Sequence, residues 1–384
     1  MIRRATILSQ PGWGEWLNIR YQLNLPNADN ALLAVCLLFC GGGLCAYGLA
    51  GTATAREAQP DPDGRSPTIV WRGWRLPALL GLATLLLGLL LREVRTASGS
   101  VLLPASWLAL LTIFASTGYL LDRRSGAWLR PTFDWRDLAL LSAICAVGLA
   151  VGAYRLDRYP EILIPDEQEF WLAAKTIADG AITPPIFGFG IYSYPILGSF
   201  YQAWILRLFG PSLWSWRFGS LLAAVAAAPP TYLLARELFS RRVAAVSAAL
   251  MVVSPYFLAF ARLGYNNSQA IPPVVLSLYL LYAGWRRGSM LYLVLGGIAA
   301  GLGFYTYTAA RLGFVVGLVF LVVALMARQR AQPQLKPWRA LVPRMTLLAA
   351  FMIGWAATAL PHIVYGLQTS PQLLSTKTVQ TLFA

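Results

Sequence analysis

Apolar runs close to twenty residues long recur along this chain, and no other feature limits its fold as strongly. A helix needs about 20 apolar residues to cross a bilayer, and inside lipid only a helix or a closed barrel satisfies every backbone amide. Ten spans are expected, near residues 31–50, 76–91, 101–121, 137–154, 213–235, 243–260, 270–284, 290–307, 312–327 and 345–365. Composition agrees: 57% of residues are hydrophobic and 12% are charged, about half the charged share of a soluble domain. The expectation is an all-α polytopic membrane protein of about ten transmembrane helices. Residues 1–30 form a polar N-terminal segment, too polar for a signal-peptide core. Residues 31–136 carry additional N-terminal transmembrane helices, and residues 137–384 carry the functional membrane domain.

The net charge of +15 would suit a nucleic-acid binder, but its distribution argues otherwise. Lys and Arg gather in short loops between apolar runs, as the positive-inside rule requires. Arg123, Arg124, Arg130 and Arg136 mark one cytoplasmic loop. Arg236, Arg241 and Arg242 mark a second, Arg286 and Arg287 a third, and Arg328, Arg330, Lys336, Arg339 and Arg344 a fourth. These loops alternate correctly if residues 155–212 lie on the outer face. The four cysteines, Cys36, Cys40, Cys45 and Cys145, sit inside apolar runs and read as small apolar filler. His362 is the single histidine, so neither a histidine-cluster metal site nor a Ser-His-Asp triad has support. It follows Pro361 at an outer helix end and reads as structural.

The outer segment holds the chemistry. Asp157, Glu161, Asp166, Glu167, Glu169 and Asp179 all fall between Tyr154 and Gly180, and beyond them only Glu237 is acidic. After Pro165, Asp166 is expected to cap a helix, with Glu169 as its capping-box partner. Phe170, Ala173, Ala174, Ile177 and Ala178 then form one apolar face at helical spacing, and Gly180 stops the helix. A turn-rich linker (residues 183–190) leads to a second short apolar helix over residues 196–209. Both are amphipathic or interfacial rather than spanning. Arg217 stands at a helix start, against the macrodipole, which predicts pairing with a first-loop acid. Arg262 and Arg311 are expected at outer span ends, at the depth of a lipid phosphate. Tyr194, Tyr305 and Tyr307 suit either an interfacial belt or sugar contacts.

The order of these parts resembles the PMT-like (family 39) membrane glycosyltransferases of the C-type fold, the group of protein O-mannosyltransferases and the lipid A aminoarabinose transferase. A span is followed by an outer loop opening with Asp166-Glu167, then Tyr192-Ser193-Tyr194-Pro195, then Leu208-Phe209-Gly210-Pro211-Ser212. Arg217, Leu238-Phe239, Ser254-Pro255 and Ala261-Arg262 complete the set. The resemblance implies transfer of a sugar from a polyprenyl-phosphate donor to a lipid, glycan or protein acceptor, with inversion. It places the work on the outer face of the bacterial inner membrane, among membrane lipids and without nucleic acid. It assigns Asp166 as catalytic base or ligand of a divalent metal (Mg or Mn), with Glu167 in support. Substrate would be held by Tyr194, Arg217, Arg262, Asn266, Tyr305 and Arg311. Two departures stand out. Ser193-Tyr194 occupies the place where the family often has a Lys before the proline, and the loop from Gly264 to Gln269 carries no second acid. The chain also ends after Thr376-Lys377-Thr378 without the further spans many members have, so a C-terminal truncation is expected. The alternatives are a lipid-linked saccharide flippase and a truncated, non-catalytic homologue. A flippase should carry ionisable residues inside its spans or an inverted repeat, and neither is seen in the sequence.

Overall fold

The computed structural model describes residues 75–95, 102–125, 133–161, 163–331 and 337–369. Every regular element among them is helical. In chain order these are α1 (Arg75–Arg95), α2 (Leu102–Ser125), α3 (Trp135–Ala153), α4 (Pro165–Ala178), α5 (Leu197–Phe209), α6 (Leu213–Val225) and α7 (Ala228–Leu238). There follow α8 (Arg241–Val253), α9 (Pro255–Ala261), α10 (Asn267–Arg287), α11 (Met290–Leu302), α12 (Leu312–Ala331) and α13 (Pro337–Thr369). Short 3-10 turns cover Ile191–Ser193, Gly303–Tyr305 and Thr308–Arg311.

Among the described residues, five segments are long and apolar enough to cross a bilayer: Leu103–Arg123, Trp135–Ala153, Leu213–Leu238, Thr308–Ala327 and Met345–Thr369. A sixth appears if α8 and α9, which meet at a 54° bend at Ser254-Pro255, count as one broken span. The chain is thus an integral membrane protein. Each expected span from 76–91 onward overlies a helix or a helix pair, and the first, at 31–50, lies outside the described residues. Two further apolar helices depart from that pattern: α10 opens with Asn267-Ser268-Gln269 and contains Pro272 and Pro273, and α11 has 13 residues before its 3-10 turn.

The bundle is held tightly where α11 crosses α13. Cβ atoms added at Gly297 or Gly354 would overlap the Phe351 or Val294 carbonyl of the facing helix. Small residues let two helices in lipid approach this closely, where packing rather than water exclusion drives association. α2 belongs to the same packed unit. Its Trp107 is buried, donates from Nε1 to Ala357 O (3.2 Å) and packs on Phe187 and Tyr305.

Acids and arginines meet at one pole of the bundle. Buried Asp137 accepts from Tyr232 Oη (2.5 Å) and Arg236 Nη1 (2.9 Å), and pairs with Arg241 Nε (3.0 Å). Glu237 binds Arg286 and Arg287. At the end of α2, Asp122 accepts from Ser289 Oγ (2.5 Å) and from the amides of Met290 (2.7 Å) and Leu291 (3.1 Å). It therefore caps the first turn of α11 from another helix, satisfying donors a helix N-terminus cannot satisfy itself. The other pole carries the 155–212 segment, with α4 and α5 packed on each other.

Candidate active site

α4 begins differently from the sequence expectation. Pro165 takes the first helical position, where a missing N–H is no loss, so Ile164 becomes the N-cap and no side chain caps the helix. The expected capping by Asp166, with Glu169 as box partner, is thereby corrected. Asp166 lies one residue inside the helix, and its Oδ2 accepts instead from Tyr265 Oη at 2.6 Å. The rest of the helix follows the expected face, with Phe170, Ala174 and Ile177 buried, and the chain turns at Gly180 with φ +74°.

Glu167 points the other way. It has no solvent exposure, and neither does Arg217, which donates to it from Nε (3.0 Å) and Nη2 (3.4 Å). Gly264 N adds a third bond to Glu167 Oε1 at 2.9 Å. Arg217 Nη1 reaches on to Leu156 O (3.2 Å) and Pro160 O (2.8 Å). One fully buried pair thus joins α4, α6, the 156–160 turn and the turn before α10. The pairing of Arg217 with a first-loop acid, expected from its place at a helix start, is what the structure contains. Three donors around a completely buried carboxylate suit a structural charge better than a base.

Phenols surround Asp166. Phe170 packs against Tyr192, Tyr194 and Tyr265, with ring centroids 6.1, 5.8 and 5.3 Å away. Tyr194 stacks on Tyr307 at 5.4 Å and 23°. Burial first, then the hydrogen bond and charge of Asp166, hold the Tyr265 phenol well above its ordinary value. Tyr265 therefore remains a protonated donor to Asp166 at any ordinary pH. Tyr192 is also raised, by burial and then by the charges of Asp166 and Glu169.

The remaining candidates divide. Asn266 sits beside Tyr265, is 3% exposed, and has its Nδ2 buried without a hydrogen-bond partner. Arg262 Nη2 is drawn to the carbonyls of Tyr154 (2.9 Å), Tyr159 (3.1 Å) and Arg155 (3.3 Å), so it clamps the turn after α3. Burial and the neighbouring Arg217 depress its basicity. Tyr305 is 1% exposed and donates to Thr358 O at 2.7 Å, a buried helix-packing position rather than an open sugar platform. Arg311 lies in the turn before α12 with its guanidinium over the Phe304 ring (5.6 Å). Asp166, Glu167, Tyr194, Arg217, Arg262 and Asn266 thus gather at one place, and Tyr305 and Arg311 belong to a second cluster around His362, joined to the first through the Tyr194–Tyr307 stack.

Among the described residues no three His, Cys, Asp or Glu side chains come together as a metal cage. The expected metal at Asp166 finds no such donor set among these residues. Sequence reasoning missed Tyr265, whose hydroxyl donates to Asp166. Its only signal was a lone aromatic in the polar stretch Gly264–Gln269.

The family profile described as dolichyl-phosphate-mannose-protein mannosyltransferase matches residues 193–355. The chain is 32% identical over 203 residues to the undecaprenyl phosphate-alpha-4-amino-4-deoxy-L-arabinose arabinosyl transferase of Pseudomonas aeruginosa strain UCBPP-PA14, covering 50% of this chain and 36% of the relative. The enzyme of the same name from Pseudomonas paraeruginosa strain DSM 24068 / PA7 matches at the same level, 32% over 203 residues, with 50% and 36% covered. A putative mannosyltransferase of Bacillus subtilis strain 168 is 26% identical over 149 residues, 38% of this chain and 20% of that protein. No solved structure matches. The chain spans about 36% of the length of the first of these curated relatives. Over the stretch that carries Tyr194, Arg217, Arg262 and Asn266, it resembles the PMT-like membrane glycosyltransferases.

Proposed function

We propose that this protein transfers a sugar from a polyprenyl-phosphate donor to an acceptor hydroxyl, with Asp166 as the base. The observation that carries the reading is the fate of the two adjacent acids. Glu167 is sealed in an ion pair, whereas Asp166 is only partly buried and is held by a phenol that stays protonated. The printed names of the relatives supply the donor class, since they describe sugar transferases that use lipid phosphates.

The chemistry needs one base and no acid. The acceptor O–H attacks the anomeric carbon while its proton passes to Asp166. The bond from that carbon to the phosphate oxygen breaks, and polyprenyl phosphate leaves with the electron pair. One displacement inverts the anomeric centre. Tyr265 keeps the carboxylate aimed, and Arg311, at the same pole, is the cation we assign to the departing phosphate. By the charge distribution of the loops, this pole faces the outside of the bacterial inner membrane. The acceptor is a lipid, a glycan or a protein.

The test is transfer from radiolabelled polyprenyl-phosphate sugars in membranes, comparing wild type with Asp166→Asn. Loss of a general base should cut the rate by roughly 10²–10⁴. Full activity in a folded Asp166→Asn variant would refute the assignment. Saccharide movement across the membrane without transfer would favour a flippase instead.

A further inference from the structure

We propose that His362 is a positioning residue: its Nδ1–H holds the Phe187 carbonyl and so sets the loop over residues 185–196 that presents Tyr192 and Tyr194 to Asp166. The inference rests on the base reading of Asp166 for its kinetic part, but not for its structural part. His362 and Phe187 both lie outside residues 193–355, the stretch that the family profile matches.

The imidazole is completely buried, with Nδ1 2.8 Å from Phe187 O. A carbonyl oxygen only accepts, so Nδ1 carries the proton and Nε2 is the bare nitrogen. Nε2 is buried without a hydrogen-bond partner. If packing alone were required, an aromatic hydrocarbon would fill the place without burying a bare polar atom. The N–H of Nδ1 is what a histidine adds.

The loop it holds is built as a strap. At its stem Phe187 is 2% exposed and lies against Trp107 (5.4 Å) and Tyr305 (6.1 Å). Phe189 packs on the His362 ring itself at 5.0 Å. The two arms pair, with Ile196 N donating to Gly188 O (3.0 Å) and Gly190 N to Tyr194 O (2.7 Å). At the tip Tyr192 and Ser193 hold φ of +52° and +62°, left-handed values that residues with a Cβ keep only when their surroundings impose them. The tip touches the site: Tyr192 and Tyr194 pack on Phe170 beside Asp166. The left-handed tip is held locally by Ser193 N donating to Gly190 O (3.1 Å) and Tyr194 N donating to Ile191 O (3.0 Å), and its position over the site is set by the stem that His362 anchors.

The experiment uses the full chain in lipid nanodiscs with three variants. His362→Asn keeps an amide N–H close to the Nδ1 position, His362→Gln moves it one bond farther, and His362→Phe removes it while keeping a ring. The first readout is chymotrypsin cleavage within the strap, located by sequencing the new N-terminus, which needs no activity. The second is kcat and KM for the donor.

Cleavage should rise and kcat fall by roughly tenfold in Phe and Gln, the scale of one lost hydrogen bond, with KM little changed and Asn close to wild type. Wild-type cleavage in the Phe and Gln variants, or an Asn variant as impaired as Gln, would overturn the proposal. If His362→Phe does not fold, the Asn–Gln comparison decides alone. Asp166→Asn separates the two claims, because it should abolish transfer while leaving the strap uncut. Strap release in His362→Gln together with active Asp166→Asn would uphold the latch and sink the base.

Discussion

Replacing Arg217 by Met tests whether the buried pair, rather than Glu167 chemistry, is what the site needs. Arg217→Met removes the two bonds to Glu167, at 3.0 and 3.4 Å, and the two to the carbonyls of Leu156 and Pro160. Glu167 would keep only Gly264 N, at 2.9 Å, in a position without solvent. Breaking one side of a fully buried pair costs about 3–5 kcal/mol, a large fraction of the about 5–15 kcal/mol that stabilises a typical fold. Glu167→Gln paired with Arg217→Met removes both charges, so the double variant should recover much of the loss. The assay is equilibrium unfolding in a fixed detergent for wild type, both single variants and the double variant, followed by sugar transfer for those that fold. A single-variant loss under about 1 kcal/mol, the range of an exposed pair, would refute the reasoning. So would strictly additive losses. A folded double variant that transfers sugar would confirm that Glu167 is not the base.

Four further outcomes follow from the geometry. Tyr265→Phe should lower kcat by about tenfold or more, the worth of a hydrogen bond to a charged group, with the protein still folded. Because the Tyr265 phenol is raised in the fold, its stabilising bond is fully present below the usual tyrosine value near pH 10 and is lost only as pH rises through the higher folded value. Wild type should therefore show no loss of stability from this group up to about pH 9, readable in a thermal-unfolding pH series. Gly297→Leu should prevent the α11–α13 crossing, and a monodisperse, heat-stable variant by size exclusion would count against the close approach. Chelation should leave transfer unchanged if Asp166 works without a caged metal, and a rate restored only by added Mg or Mn would reverse that.

Much of the helix layout could be read from the sequence because lipid imposes a length and a composition on every span. Phe170, Ala174 and Ile177 needed only helical periodicity to be placed inside. The pairing of Arg217 was legible for an electrostatic reason, since a cation at a helix start wants an acid and the nearest acids were few. What escaped depended on distance along the chain. Tyr265 reaches Asp166 across 99 residues and His362 reaches Phe187 across 175, and no local pattern encodes either contact. The cap at α4 was misread because Asp166 is a good capping residue in isolation. Pro165 outweighs it, since its fixed φ suits the first helical position and leaves Ile164 at the boundary. Arg262 was expected on a lipid phosphate, whereas its guanidinium donates to the carbonyls of Tyr154, Arg155 and Tyr159.

The Asp122 cap on α11 has a consequence for biosynthesis. A ribosome releases α2 well before α11, whose capped turn begins 167 residues after Asp122. During that interval the carboxylate has none of its final donors, and it must wait in the headgroup region until Ser289, Met290 and Leu291 emerge. Once they arrive, one side chain ties the end of α2 to the first turn of α11. The N-terminal helices are thereby bonded into the unit that α11 forms with α13, and they cannot be regarded as a passive extension of the site they lie beside.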